Sequence, residues 1–305
     1  MVDATPRQLK YFVEVVESGS LSGASHSLCI AQPALSQHIA AMEEVLGVKL
    51  FERHARGMKP TAEGVRLYER ARSILRQISL LKDDIRDSGD LPRGEVRLGI
   101  AGALAGVMVA PVLRGIELEY PAIRLSLTDG LSTEMAALIE SRMVDLALFP
   151  SASEIEGMES LPVLTEHLYL FGSVDLLGGD TGPIPFAEIG AQPLAAPDRT
   201  HDLRKMIERE AAAQNLRLDV RYELNSPAMI LSVVREGLAC AVLPRSTYPD
   251  FPRAGPIRAR LITHPGLTRV QSIVWPSDRS LSSAALAVKK ILIKAARTVE
   301  EKGQS

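Results

Sequence analysis

The stretch from Ser20 to Gly47, SLSGASHSLCIAQPALSQHIAAMEEVLG, constrains the fold of this chain more than any other. It predicts two short helices separated by a tight turn. Ser20 is suited to cap the first helix, whose apolar stripe consists of Leu21, Ala24 and Leu28. The second helix opens at Gln32-Pro33, since first-turn N–H groups have no partner for a proline to remove. Its apolar stripe, with spacings of four, three and four, consists of Leu35, Ile39, Met42 and Leu46.

A helix that buries this stripe leaves short polar groups free at its first turns. Pro33 and Gln37 are predicted to point away from the stripe, with Gln32 and Ser36 on its flank. Amide and hydroxyl groups at such a tip can reach base edges and phosphates in the major groove. The pattern favours a helix-turn-helix, although a helical hairpin inside an enzyme would give the same spacing.

The flanking segments favour a DNA-binding domain. Upstream, Thr5-Pro6-Arg7-Gln8 is typical of a capped helix start, and the predicted inward face is Leu9, Phe12, Val13 and Val16. Downstream, VKLFERHARGMKPT is predicted to form a two-stranded wing that turns at Gly57. Because wing arginines usually contact phosphate or the minor groove, we expect Arg53 and Arg56 to contact DNA rather than form a solvated charge run.

Net charge gives no global signal for nucleic acid. The formal charge is −2, so any attraction to DNA must come from a local patch. Such a patch is predicted at the wing, from Lys49, Arg53, Arg56 and Lys59. A dimer would double it.

Cysteine usage and hydropathy indicate the cellular compartment of the protein. Cys29 and Cys240 lie far apart in apolar contexts, which predicts two small buried side chains in a reducing cytoplasm rather than a disulfide or a metal site. The start lacks a charged segment followed by an apolar core, and no apolar run approaches the length of a membrane span. We therefore expect a cytoplasmic protein without a membrane partner.

A heptad seam follows the wing. From Thr61 a long helix is predicted to about Asp87, with apolar residues alternately four and three apart at Leu67, Ala71, Ile74, Ile78, Leu81 and Ile85. No second long amphipathic helix lies nearby in sequence, so we expect a homodimer rather than the inner face of a bundle. Two-fold symmetry in the protein would then predict an inverted-repeat DNA site.

Residues 88–94 have a composition typical of a hinge, and the predicted secondary structure changes after them. Short apolar strands alternate with helices, which predicts a mostly parallel sheet covered on both sides. The glycine-rich GIAGALAG at Gly99 to Gly106 lies between a strand and a helix, but its spacing departs from G-x-G-x-x-G. We therefore favour a ligand at converging helix N-termini over a dinucleotide loop.

Three adjoining blocks carry a family resemblance: RQLKYFVEVVE, GSLSGASHSLCIAQPALSQHIAAMEEVLGVKLFER and RGMKPTAEG. Together they resemble the N-terminal domain of LysR-type transcriptional regulators. The resemblance spans the chain, because three later blocks follow in the expected order: VRLGIAG, DLALF and GLACAVLPRS. Within the family the chain is most similar to the nitrogen assimilation control subgroup, through IAQPALSQ, RGMKPT and LYLFG.

The resemblance implies a winged helix-turn-helix, a long linker helix and a two-lobed α/β effector domain similar to periplasmic binding proteins, with crossovers near Glu166 and Ser272. The expected boundaries are 1–61 for the DNA-binding domain, 62–88 for the dimerising linker, 89–94 for the hinge and 95–305 for the regulatory domain. Lobe I would cover about 95–167 and 273–305, and lobe II about 168–272. The family also implies a homotetramer that contacts RNA polymerase when it activates.

Two sets of site residues follow. The predicted DNA-contacting residues are Arg7, Gln32, Pro33, Ala34, Ser36, Gln37, His38, Arg53 and Arg56. The predicted effector-binding residues are Gly102, Ala103, Leu131, Ser132, Thr133, Thr200, His201 and Asn225. At the position of Ala103 many family members carry an inducer-binding serine or threonine, so this site is expected to be less polar or to have no small-molecule effector.

These patterns predict a sequence-specific DNA-binding transcriptional regulator and not an enzyme. The six histidines are scattered, no G-x-S-x-G elbow occurs and no cysteine sits beside a histidine, so neither a metal, a cofactor nor a catalytic apparatus is expected. Two alternatives stay open at this point. One is a nucleotide-binding α/β enzyme that uses the Gly99 loop, and the other is a ligand-binding module that contacts protein rather than DNA.

Overall fold

The structure, a computed structural model, describes residues 5–54, 57–86, 91–150, 155–248, 255–278 and 280–303. The chain divides into two compact units, which are an N-terminal unit of residues 1–89 with 141–143 and a C-terminal unit of residues 90–140 with 144–305. None of the helices in these described ranges combines the length and the apolar character needed to cross a bilayer.

The described part of the N-terminal unit contains helices and one antiparallel strand pair. Its elements are α1 (Pro6–Ser18), α2 (Leu21–Leu28), α3 (Gln32–Leu46), β1 (Phe51–His54), β2 (Gly57–Pro60) and α4 (Ala62–Arg86). Helix α1 begins with a capping box, in which the Thr5 hydroxyl accepts from the Gln8 N–H and the Gln8 amide oxygen accepts from the Thr5 N–H. Ser20 caps α2 by accepting from the Gly23 N–H at 3.0 Å.

One apolar core holds α1, α2 and α3 together. Phe12 is fully buried at its centre, and its ring lies 5.3 Å from that of Phe51 in the wing. The inward face of α1 is wider than the sequence predicts, because Tyr11 and Val15 are buried while Val13 and Val16 are only half-buried. The helix packs on α2, α3 and α4 together, so a single stripe does not suffice.

The close approach of the wing to α1 explains Gly57. Its φ is +136°, and a Cβ here would lie 2.5 Å from the carbonyl oxygen of Gly19. That oxygen accepts a hydrogen bond from the Met58 N–H at 2.8 Å. The predicted two-stranded wing is present, and Gly57 lies where the chain reverses, because it is the first residue of β2 and pairs with His54.

The predicted dimer seam on α4 is divided between two environments. Ala71 is fully buried in the core of the N-terminal unit, so assigning it to a dimer seam is wrong, whereas Leu67 is half-buried against the same core and its assignment stays a prediction. Farther along, Ile74 and Leu81 are 43% and 59% exposed, and Ile78 is half-buried. The side chain of Ile85 lies outside the described part of the structure.

The two cysteines differ in exposure. Cys240 is buried as predicted, and burial raises the pKa of its thiol to about 12. Cys29 is exposed, so its predicted burial is wrong. It ends α2 with a left-handed φ of 52°, and this position between two helices turns its side chain away from the core.

The C-terminal unit is an α/β structure with short 3-10 turns at Phe186–Ala191 and Arg245–Thr247. Its strands are β3 (Gly94–Ala101), β4 (Ile123–Gly130), β5 (Leu146–Pro150), β6 (Met158–Ser173), β7 (Ile184–Pro185), β8 (Pro193–Ala196), β9 (Asp219–Glu223), β10 (Ala241–Pro244), β11 (Ile257–Thr263) and β12 (Thr268–Pro276). Its helices are α5 (Gly102–Glu119), α6 (Ser132–Glu140), α7 (Val174–Leu177), α8 (Asp202–Ala213), α9 (Pro227–Arg235) and α10 (Ser283–Gly303).

The main sheet is mixed, so the prediction of a mostly parallel sheet is wrong. Strand β3 pairs in parallel with β4 and β5, whereas β12 is antiparallel to β5 and β6, and β6 is antiparallel to β10 and β11. The reason is that β6 and β12 run side by side in opposite directions as the chain passes between lobes. Leu164 and Ile273 belong to the core of lobe I, whereas Leu168 and Leu267 belong to that of lobe II.

We expect Gly57→Ala to loosen the wing. The added Cβ meets the Gly19 carbonyl and the backbone is strained, so the local cost should be about 2 kcal/mol or more. Hydrogen exchange of the β1 and β2 amides in the full chain measures this cost.

Gly47→Ala is the matched control for Gly57→Ala. Gly47 also has a positive φ, of +67°, but no atom lies within 4 Å of the built Cβ. It should cost only about 1 kcal/mol, from backbone strain alone. Equal hydrogen-exchange protection of the β1 and β2 amides in the two variants would show that the approach of Gly57 to the Gly19 carbonyl does not cause the loosening.

Candidate DNA-contacting surface and ligand cavity

The N-terminal end of α3 is the exposed tip of the N-terminal unit. Gln32, Pro33 and Gln37 are exposed, while Leu35 and Ile39 on the opposite face are buried. The residue before the helix, Ala31, supplies no side-chain cap. The first-turn N–H groups of α3 are therefore open to an anion such as a phosphate, and sequence reasoning missed this feature of the tip.

The other predicted residues of α3 are less exposed. Ala34, Ser36 and His38 are half-buried. Ser36 lines a crevice of about 330 Å³ between α3 and the wing, beside Glu43 and Met58. Its hydroxyl thus lies toward the wing rather than at the free end of the helix.

Tyr11 links α1 to the tip. Its ring centroid lies 5.1 Å from that of His38 and 5.4 Å from the guanidinium carbon of Arg7. The Arg7 Nε also donates a hydrogen bond to the Tyr11 hydroxyl. The predicted contacts Arg7 and His38 are therefore brought together through a buried aromatic ring, and the arginine is oriented by it.

Glu43 ties the wing to α3. Its carboxylate accepts from the backbone N–H groups of Leu50 and Phe51 at 2.9 and 3.4 Å, and from the Lys49 ammonium at 2.6 Å. Burial alone would raise the pKa of this carboxyl, but the hydrogen bonds from Lys49 and the two backbone groups outweigh it and the pKa is lowered. The Lys49 side chain is 78% exposed, but its ion pair with Glu43 offsets part of its charge and weakens, at this residue, the predicted wing patch that is one-signed apart from Glu52.

The described part of the structure includes the backbone of only one of the two wing arginines. Arg53 lies in β1, opposite Met58, and its side chain lies outside the described part of the structure. Arg56 lies outside the described residues altogether. Their predicted role in DNA contact stays a prediction.

The C-terminal unit contains a cavity of about 330 Å³ between lobes I and II, a size typical of small-molecule sites. The starts of α5, α6, α8 and α9 all line it. The structure therefore brings together six of the predicted effector-binding residues, namely Gly102, Ala103, Leu131, Ser132, His201 and Asn225.

Two predicted effector-binding residues do not line the cavity. Thr133 follows Ser132 in α6 and is exposed, because successive helical residues point about 100° apart. Thr200 is engaged locally, since both its N–H and its hydroxyl donate to the Asp198 carboxylate at 2.7 and 2.5 Å. These hydrogen bonds lower the pKa of Asp198. The predicted assignment of Thr133 and Thr200 to the effector-binding site is therefore wrong.

The helix ends at the cavity are capped unequally. At α6, Glu134 accepts from the Leu131 N–H at 2.7 Å, and at α8 the His201 Nδ1 accepts from the Leu203 N–H at 3.1 Å. Neither Ala101 before α5 nor Ser226 before α9 supplies a side-chain cap. The N–H groups at the start of α5 and α9 are thus open to an anion.

Arg269 is a buried, charged lining residue that sequence reasoning missed. It belongs to β12 and is only 4% exposed, yet it lines the cavity. Burial lowers the pKa of its guanidinium, and the negative charges of Glu166 and Asp202 offset this only in part. No local pattern marks it, because its position depends on the pairing of two strands distant in sequence.

His201 is held in its neutral form beside this arginine. Burial lowers the pKa of the imidazole, and the positive charge of Arg269 lowers it further. Since Nδ1 accepts from the Leu203 N–H, the proton of the neutral ring lies on Nε2. His201 can therefore donate one uncharged hydrogen bond.

Within the glycine-rich segment from Gly99 to Gly106, packing accounts for Gly99 but not for Gly106. A Cβ at Gly99 would lie 2.7 Å from the Met135 sulfur of α6, so a side chain there would require the end of the Met135 side chain to move. At Gly106 no atom lies within 4 Å of a built Cβ. Within the described ranges, no group of three or more histidine, cysteine, aspartate or glutamate residues could hold a metal ion.

Comparison with known proteins agrees with both halves of this architecture. Residues 6–65 match the family described as "Bacterial regulatory helix-turn-helix protein, lysR family", and residues 89–297 match "LysR substrate binding domain". The nitrogen assimilation regulatory protein nac of Klebsiella aerogenes is 32% identical over 288 residues, covering 94% of this chain and 93% of that protein. A probable nitrogen assimilation transcriptional activator of Synechococcus elongatus is 27% identical, covering 89% of each chain.

This chain belongs to the LysR family. It is a transcriptional regulator with a DNA-binding helix-turn-helix domain and an effector-binding domain. The predicted resemblance to nitrogen assimilation regulators is confirmed.

Solved LysR-family structures have the same fold as this regulator. CbnR in complex with its target DNA has a TM-score of 0.72 at 21% identity, covering 97% of this chain and 99% of that one. A full-length OxyR variant from Pseudomonas aeruginosa also has a TM-score of 0.72, at 18% identity, covering 96% and 97%. The predicted combination of a helix-turn-helix and a two-lobed α/β domain is confirmed.

For this regulator we expect Glu43→Gln to detach the wing from α3, at a cost of about 1 to 2 kcal/mol. Because the pKa of Glu43 is lowered in the folded protein, its stabilising effect is complete above the ordinary carboxyl pKa. That effect is lost as the pH falls through the lowered value. Hydrogen exchange at the Leu50 amide at pH 7 reports the loss.

Glu44→Gln, at the exposed neighbouring position, should change Leu50 protection by less than about 0.5 kcal/mol. Equal effects of the two substitutions on Leu50 would show that Glu43 does not fix the wing.

Proposed function

We propose that this regulator binds a duplex inverted repeat through the α3 tips of two copies and responds to a small molecule in the C-terminal cavity. The observation that carries the proposal is the tip itself. An exposed and uncapped helix start stands opposite the buried side chains of Leu35, Ile39 and Met42, so it can enter a major groove without disturbing the core.

Different residues at the tip would contact the bases and the phosphates of the DNA. Gln32 and Gln37 have exposed amides suited to base edges, and the open N–H groups of the first turn suit a phosphate. Arg7 and His38, joined through Tyr11, would contact the backbone, as would Arg53 and Arg56 of the wing. Pro33, Ala34 and Ser36 complete the predicted contact set.

The exposed part of α4 would join two copies. Ile74, Ile78 and Leu81 continue the heptad spacing beyond the core of the N-terminal unit, and Ile85 follows in sequence. Exposed apolar side chains in such a row favour a partner helix. Two-fold pairing supports an inverted-repeat site, and by family resemblance we propose a homotetramer that contacts RNA polymerase.

The C-terminal unit would act as a sensor rather than as an enzyme. The convergence of helix starts on the cavity supports a small-molecule effector, although Ala103 offers no hydroxyl to it. The named relatives are transcriptional regulators, and CbnR was crystallised with its target DNA, which supports a double-stranded DNA partner. We propose a cytoplasmic protein that uses no cofactor.

We expect Gln32→Ala and Arg56→Ala to weaken DNA binding in different ways. Gln32→Ala should relax preference at particular base pairs by about 1 to 3 kcal/mol, because an amide reads base edges. Arg56→Ala should weaken binding to all sequences and flatten its salt dependence, because a phosphate contact releases counterions. Binding titrations on a selected operator and on random duplex, at several salt concentrations, separate the two effects.

The control for these two variants is Gln77→Ala, which removes an exposed amide on α4 and should leave both affinities unchanged. Equal losses on operator and random DNA for Gln32→Ala would refute base contact. Undetectable duplex binding by the wild-type protein at low salt would overturn the proposed function.

We expect Leu81→Arg to weaken the dimer, because a charge would replace a 59% exposed apolar side chain in the proposed seam. Light scattering after size exclusion, over a concentration series, measures the dissociation. Glu69→Arg is the control, since Glu69 is an exposed polar residue of the same helix outside the seam. A dimer of unchanged stability in Leu81→Arg would place the interface elsewhere.

A further inference from the structure

Arg269 lies in a setting that is unusual for a buried arginine. It is 4% exposed and lines the cavity of the C-terminal unit. Its side chain forms no hydrogen bond or ion pair with any residue in the described ranges. A guanidinium has five N–H donors, and no Arg269 nitrogen is among the fully buried side-chain atoms of these ranges that lack a partner, so these donors are open to the cavity.

The nearest candidate partner is already engaged. Glu166 stands directly opposite Arg269 in the β6–β12 ladder, and side chains at such positions share a face of the sheet. However, the Glu166 carboxylate accepts from the Gln271 side-chain amide at 2.5 Å and from the Ser246 hydroxyl. Both carboxylate oxygens therefore have neutral donors, and the donors of Arg269 stay available to the cavity.

Two helix starts add to the attraction for an anion. Helices α5 and α9 have 18 and nine residues, and both begin at the cavity without a side-chain cap. Their first-turn N–H groups carry partial positive charge. Arg269 together with these N–H groups can bind a carboxylate, with the arginine in bidentate geometry.

The remaining walls limit what else the ligand can carry. Leu131, Leu203, Ile230 and Leu243 supply apolar surface. Asp129 and Glu134 are exposed lining residues, so the wall they form is negative and would repel a second carboxylate. The cavity thus suits one negative charge on an apolar body.

From this arrangement we infer that the effector is a small monocarboxylate with an apolar body, and that Arg269 is the residue that binds its carboxylate. The inference rests on the proposed function of the cavity as an effector site and adds the chemical class and the anchoring residue. The His201 Nε2–H can supply a further neutral hydrogen bond to the bound ligand.

Calorimetric titration of the full-length protein without DNA tests the inference. The probes are phenylacetate and 3-methylbutanoate, each compared with its neutral amide of the same shape. At least one carboxylate should bind about ten- to a hundredfold more tightly than its amide, and Arg269→Gln should lose the same factor. Arg221→Gln is the control, because Arg221 is exposed and paired with Asp219 at 2.9 Å.

Either of two results would overturn the inference. One is that neither carboxylate binds better than its amide, and the other is that Arg269→Gln binds the carboxylate as tightly as wild type. Operator binding by the wild-type protein from the same preparation tests the proposed function separately. Failure of the ligand titration alone therefore refutes only the assigned ligand class and anchor.

A second measurement needs no ligand. Arg269→Met should lower the thermal midpoint of the ligand-free protein less than the loss of a hydrogen-bonded buried arginine, because Arg269 donates no hydrogen bond within the described ranges and only the charges of Glu166 and Asp202 stabilise it. Arg204→Met is the matched comparison. Arg204 is 3% exposed but donates to the Pro197 carbonyl and to Glu208, each at 2.9 Å, so its loss should lower the midpoint. An equal fall in the two variants would show that Arg269 has a structural role.

Discussion

The burial of one face of α3 is the interaction on which the DNA-contacting surface depends. Leu35, Ile39 and Met42 share a core with Phe12, and this packing fixes the helix without using any residue of its exposed tip. The exposed side chains of the tip, Gln32, Pro33 and Gln37, therefore take no part in core packing. Recognition residues can then differ among proteins of this fold without loss of stability, because stability and specificity lie on opposite faces of one helix.

In the C-terminal unit, the paired strands that connect the two lobes position the buried polar residues. Strands β6 and β12 carry the chain between lobes and lie side by side, so the junction is a short stretch of paired backbone. Buried polar groups concentrate there, including Glu166, Gln271 and Arg269. The Gln271 side-chain amide donates to Glu166, while its Oε1 is buried without a partner among the described residues, and Arg269 does not share in this network. A buried arginine whose hydrogen-bond donors face a cavity provides a reason for an anionic ligand to bind there.

Local features of the sequence predicted the helices well. Capping residues and apolar spacing give the start of α1 at Pro6 and the bounds of α3, because these signals act within a few residues. The errors arise where distant parts meet. The width of the buried face of α1, the position of Gly57 against Gly19, and the antiparallel course of β12 all depend on long-range packing. The sequence does not predict the position of Arg269 for the same reason, since only strand pairing brings it to the cavity at which the helices of the C-terminal unit begin.

The claim that the tip of α3 enters the major groove is tested most directly by dimethyl sulfate protection of a selected operator. This reagent methylates guanine N7 in the major groove and adenine N3 in the minor groove. The structure predicts two patches of guanine protection, related by two-fold symmetry and lying on one face of the duplex. Protection confined to adenine N3, or guanine reactivity unchanged at saturating protein, would contradict it.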